Sequence, residues 1–225
     1  MIESLSEHNV RPVSQTRTNL QHSLANFFEV LGDGYKDYSF KIRSLTVSEN
    51  EILRMLKDVT ILDAMEVTSS LHRAVISEIL TTDLGNIDAT WNFPTSAKGV
   101  SSTGPPPFPK SGLSLSAVKT FIVKCGGKSA LAGMSTTEVN NHAQKPLTFF
   151  RQASYCDMMK DIGDSGVKPA MVFISHAWKY IFLDVVEAIE NHFRDEPDVI
   201  IWFDLFSNNQ HLAPDLDFYW WNNTF

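Results

Sequence analysis

Ala170-Met-Val-Phe-Ile-Ser175-His176-Ala-Trp178 and Val199-Ile-Ile-Trp202-Phe203-Asp204 are two short apolar runs with a segment of helical period between them. Neither run alternates polar and apolar residues, the pattern of strands covered by helices on both faces. In the intervening segment Phe182, Val185, Val186, Ile189 and Phe193 recur three or four apart, with Asp184, Glu187, Glu190, Asn191 and Arg194 between them. That stripe is expected to pack on the sheet. Asp195-Glu-Pro197-Asp stops the helix, so the second run should lie parallel to the first after a right-handed crossover. Both runs end in polar residues, and the carboxyl ends of parallel strands are where such sheets take ligands.

A unit of this size buries too little apolar surface to offset the entropy of ordering it, so further strands are required. The segment from Leu113 to Ile162 reads as helical, which leaves the missing strands to sequence downstream or to another chain. The closing Asp217-Phe218-Tyr219-Trp220-Trp221-Asn-Asn-Thr-Phe225 is an aromatic cluster without a polar finish. It agrees with a piece of a larger protein, or with aromatics folded back over the sheet.

Working toward the N-terminus, Ser154-Tyr155-Cys156-Asp starts a short helix, and Ser135-Thr-Thr-Glu138 has the form of a capping box whose helix Lys145-Pro146 ends. Leu115, Val118, Phe121 and Ile122 form a helical stripe closed by Gly126-Gly127. Gly127-Lys128-Ser129 is no phosphate loop, because Ile122 stands where that motif needs glycine and the preceding segment is helical. The stretch 95–112, with Pro105-Pro106-Pro107, reads as a stiff linker. Ser48-Glu-Asn-Glu51 has capping-box form ahead of Ile52, Leu53, Leu56, Val59 and Leu62; Leu71, Val75, Ile79 and Leu80 continue the period as far as Gly85. The expected organisation is a flexible arm at 1–21, a helical region at 22–94, the linker at 95–112, short helices at 113–168 and the α/β unit at 169–225.

The 225 residues are 43% hydrophobic and 20% charged, with a net charge of -7. Such a balance, with no Lys/Arg run, argues against binding nucleic acid through its phosphates. No eighteen apolar residues run together, so no membrane span is expected, and the acidic start Met1-Ile-Glu-Ser is not a signal peptide. Two cysteines, Cys125 and Cys156, are too few for a disulfide framework and agree with a reducing, cytoplasmic setting.

Phe173-Ile-Ser175-His176-Ala-Trp178, Phe182-Leu-Asp-Val-Val and Trp202-Phe-Asp204-Leu-Phe-Ser-Asn-Asn-Gln210-His211 together resemble the opening half of a TIR-like (Toll/interleukin-receptor-type) domain of large protist and fungal proteins. A weaker similarity extends upstream through Gly126-Gly127, Thr136-Thr137-Glu138 and Ser154-Tyr155-Cys156. The resemblance implies an α/β fold with an incomplete flavodoxin-like parallel sheet, here a βαβ unit preceded by a mainly helical region. It implies a signalling or protein-interaction module acting by self-association or within a larger chain. TIR enzymes cleave NAD with a glutamate on their third main helix, and this sequence stops before that position. NAD is therefore a ligand or substrate expected of the complete domain; no cofactor is required of this chain, and no catalytic residue is assigned.

Within this frame the expected ligand-binding residues are Ser175, His176, Trp178 and Asp204. Ser175 reads equally as a hydroxyl contact to a ribose or phosphate and as a cap on the next helix. His176 suits a structural hydrogen bond before a phosphate contact. Trp178 either stacks on a base or covers the helix start. Asp204 either binds a ribose hydroxyl or metal, or bonds backbone N–H groups of the following loop. Ser207, Asn208, Asn209 and Gln210 are expected at the same crevice. His176, Asp204 and His211 lack the short spacing of a metal site, and no metal is expected. Neither cysteine follows a nucleophile elbow.

Overall fold

The computed structural model describes residues 17–32, 34–82 and 107–215. The expected arm at 1–16, the stop at Gly85, the Pro/Gly/Ser stretch at 95–106 and the aromatic cluster at 217–225 lie outside them.

Five helices make the N-terminal part: α1 (Arg17–Val30), α2 (Lys36–Ser44), α3 (Glu49–Lys57), α4 (Ile61–Ala64) and α5 (Ser70–Thr82). α1 begins inside the segment expected to be a loose arm. Leu20, Leu24, Phe27, Phe28 and Leu31 are buried along one side of it, a stripe of helical period that the surrounding Ser, Thr, Asn and Gln residues obscure in the sequence. Ser48 caps α3 by accepting the Glu51 N–H at 3.3 Å. The reciprocal half of the box is absent because the Glu51 carboxylate pairs with Arg54 instead.

Two strands come from where none was expected. β1 (Ser111–Ser114) starts in the segment taken as a linker, and β2 (Val167–Pro169) precedes β3 (Val172–Ile174) and β4 (Ile200–Phe203). The sheet runs β2-β1-β4-β3, with β1 antiparallel to both its neighbours and β3 parallel to β4. Gly112 makes the β1–β4 contact close: a Cβ there would lie 2.3 Å from the Ile201 carbonyl oxygen. Pro169 is tolerated because β2 is an edge strand. The mixed sheet thus draws two of its strands from upstream sequence; the expectation that its other strands had to lie downstream or in another chain is corrected. Strands of three and four residues carry too little pattern to be seen in the sequence.

The βαβ unit itself is present. α10 (Phe182–His192) links β3 to β4 and buries Phe182, Val186 and Ile189. β4 is buried throughout, as its unbroken apolar run implies. β3 is not covered on both faces. It is an edge strand, and Met171, Phe173 and Ser175 are exposed while Val172 and Ile174 pack against the core. The Phe173 ring stacks on Trp202 at 4.6 Å, and Phe108 also stacks on Trp202, at 5.2 Å.

Between β1 and β2 lie α6 (Leu115–Lys124), α7 (Thr136–Val139), a π-helical turn (Asn140–Gln144), α8 (Lys145–Thr148) and α9 (Tyr155–Asp161). Pro146 does not end the helix that begins at Thr136. It has no N–H for the His142 carbonyl four residues back. The backbone opens into a π turn, in which Lys145 N–H bonds the Asn140 carbonyl, and continues. The Tyr35 hydroxyl, from the N-terminal helices, donates to the His142 carbonyl at 2.5 Å. Phe27 of α1 meets Phe149 and Phe150 edge-on and tilted at 5.8 and 5.3 Å. One apolar core therefore runs from α1 through to α11 (Asp204–Ser207). Among the described residues no helix is long and apolar enough to cross a membrane.

Candidate functional site

At the carboxyl ends of the parallel strands, β3 passes into the loop 175–181 and β4 into α11. The loop is clamped from below by the start of α7, where Ser135 and Glu138 form a complete capping box. Thr136 N–H bonds the Tyr180 carbonyl at 3.0 Å, Thr137 N–H bonds the Trp178 carbonyl at 3.1 Å, and Phe182 N–H bonds the Met134 carbonyl at 2.9 Å. These backbone bonds hold the second half of the loop, from Trp178 to Phe182, against the start of α7.

His176, Trp178 and Asp204 meet there. The Trp178 indole N–H donates to Asp204 Oδ2 at 2.5 Å. Asp204 Oδ1 accepts the Leu205 N–H at 2.8 Å and stands 3.8 Å from His176 Nδ1. His176 Nε2 is 3.1 Å from the Thr136 hydroxyl. Burial pushes the Asp204 carboxyl above its usual range, against the Trp178 and His176 interactions that pull it down, and burial pushes the His176 imidazole below its usual value. At 3.8 Å the two atoms are beyond hydrogen-bond reach, and His176 Nδ1 is a buried nitrogen with no hydrogen-bond partner among the described residues. The His176 side chain is 4% exposed and that of Asp204 23%, so Asp204 is the member a small molecule reaches.

Of the two roles open to Asp204, bonding the backbone N–H of its own turn is realised. Ser175 is exposed and caps nothing, because the N-cap of α10 is Ile181. Ser175 and His176 line one end of a groove of about 420 Å³ that runs between β3 and α10 past Phe173, Tyr180 and His192. Trp178 sits against Asp204 and outside that groove.

The residues after β4 do not face the crevice. Ser207 is buried with its hydroxyl accepting the Phe203 N–H, Asn209 donates to the Gln152 carbonyl at 2.6 Å, and Gln210 donates to the Asp204 carbonyl at 2.6 Å. They lock the turn instead. His211 is bonded to Thr148 at 2.9 Å and lines a different cavity, so it does not join His176 and Asp204. Among the described residues no three His, Cys, Asp or Glu side chains gather as metal ligands.

Thr136 is the member of the cluster that the sequence does not single out. Its neighbours Ser135 and Glu138 announce a helix start, yet nothing in their spacing links that start to a loop forty residues later. Both cysteines are buried, and burial raises both thiols, that of Cys156 to about 12. They are inert packing residues at neutral pH.

Comparison with models of known families, with curated proteins and with solved structures finds no match.

Proposed function

We propose that the chain is a signalling or protein-interaction module that acts by TIR-like self-association. The observation that carries this reading is the open side of β3. Among the described residues β3 pairs with β4 alone, so the backbone N–H and C=O groups along its other edge have no strand partner there. Met171 and Tyr180, 70% and 60% exposed, flank that edge together with Phe173. Exposed apolar side chains beside an unpaired strand are an interaction surface that water does not favour.

The test is the mass of the full chain in solution as a function of concentration, measured for the wild type and for Met171→Lys. Association in the range up to about 100 μM, abolished by the substitution with folding unchanged, upholds the reading. A wild type that remains monomeric throughout that range removes it.

A second reading, NAD binding and hydrolysis by the complete domain, is favoured by the meeting of His176, Trp178 and Asp204 at the ends of parallel strands, with Ser175 exposed beside them. Nicotinamide release from the longest natural product containing this chain, lost in Asp204→Ala, is its expected outcome. No release from the folded, associated protein excludes it.

A further inference from the structure

A second polar centre lies between the N-terminal helices and the helix that contains the π turn. It surrounds a cavity of about 470 Å³, within the size range of small-molecule sites. Three nitrogen-bearing residues line it: His142 and Lys145, three positions apart on one continuous helix, and His211 from the loop after α11.

One self-consistent assignment of the ring tautomers sets what each nitrogen offers. The Tyr38 hydroxyl is 2.9 Å from His72 Nδ1, and His72 Nε2 is 3.4 Å from His142 Nδ1. With the phenol donating, His72 Nε2 carries the proton and His142 Nδ1 accepts it, which leaves Nε2–H of His142 as a donor with no partner among the described residues. Thr148 gives its own hydroxyl proton to the Gln144 carbonyl at 3.0 Å, so His211 Nε2 donates to the Thr148 oxygen and Nδ1 of His211 is an acceptor with no partner among the described residues. Lys145 supplies one positive charge, and among the described residues no carboxylate pairs with it.

The frame around these groups is rigid. Tyr35 holds the His142 carbonyl, and Gly34 gives the ring room: a Cβ there would lie within contact of His142 Nδ1. Leu31, Pro146 and Phe149 provide the apolar wall. A π turn of this kind is frequent where a helix presents side chains to a ligand.

We infer that this cavity binds a small organic monocarboxylate that also carries a hydroxyl group, the carboxylate at Lys145 and His142, the hydroxyl at His211 and the carbon body against Phe149. One ammonium balances one negative charge; a doubly charged phosphate ester leaves a charge uncompensated in a half-buried site.

The experiment is calorimetric titration of the full chain with 4-hydroxyphenylacetate, phenyl phosphate and tyramine, alongside nitrogen-edited NMR of the histidine rings. Saturable one-to-one binding of 4-hydroxyphenylacetate below about 1 mM, with shifts at His142 and His211, is expected. Lys145→Met should weaken it at least about ten-fold, and tyramine should not bind. If Lys145→Met does not fold, the ring shifts of the wild type decide alone. No saturation up to about 10 mM, equal or tighter binding of tyramine or phenyl phosphate, or shifts confined to other histidines overturns the assignment.

Discussion

Asp204 joins two parts of the chain through one carboxylate: the loop after β3, where Trp178 donates to it and His176 lies 3.8 Å away, and the start of α11 by way of the Leu205 N–H. Asp204→Asn keeps the shape but turns one acceptor into a donor, which sets an amide N–H against either the indole or the Leu205 N–H. A charge-assisted bond lost in a mostly buried site costs about 1–3 kcal/mol. The expected result is a lower urea midpoint with unchanged slope and an altered Trp178 fluorescence. An unchanged midpoint shows that the carboxylate does not bind the loop. The sequence marked Asp204 as either a cap or a ligand contact; only the position of Trp178 shows that its second oxygen is already engaged.

Among the elements, the helix from α7 to α8 departs furthest from its sequence reading. Lys145-Pro146 is a helix terminator when only neighbours in the chain are considered. Tyr35, more than a hundred positions away, donates to the carbonyl that Pro146 leaves short of a partner, and the helix survives. The two residues should therefore be coupled. Tyr35→Phe is expected to cost about 1–3 kcal/mol, and the cost should shrink when Pro146→Ala restores an N–H near the same carbonyl. A double-mutant cycle in urea measures it, and strictly additive losses contradict the mechanism. The same long-range dependence explains β1 and β2. Ser111–Ser114 is a strand because Leu113 pairs with Ile201 and Val167, not because four residues ending at a helix cap announce one.

Among the described residues two half-buried histidines, His72 and His211, have their proton affinity lowered to about 4 from an ordinary 6.5, and burial lowers that of His176 in the same sense. For His72 the causes are burial and then His142; for His211 they are burial and then Lys145, partly opposed by Thr148. Above about pH 6.5 these groups are neutral whether the chain is folded or not, and the fold is unaffected by them. As pH falls from 6.5 toward 4 the unfolded chain takes up protons that the folded chain refuses, so stability declines over that window and levels off below it. Asp204, shifted upward, works in the opposite sense. Thermal unfolding followed from pH 7 to pH 4 should show this decline, and His72→Gln combined with His211→Gln should flatten it. An equally steep decline in the double variant places its cause elsewhere.

Periodicity by itself determined the amphipathic helices and the parallel strand–helix–strand unit, because in those segments the residues that repeat at a fixed spacing are the ones that become buried: Phe182, Val186 and Ile189 on one helix, Ile200 to Phe203 in one strand. It also indicated that His176, Trp178 and Asp204 belong at one end of that unit. Tertiary structure alone decided which short segments become strands, that β3 is an edge with one bare face, that Thr136 closes the cluster, and that His142, Lys145 and His211 share a cavity. Each of these depends on partners tens of residues away, and a contact between distant segments leaves no period in either of them.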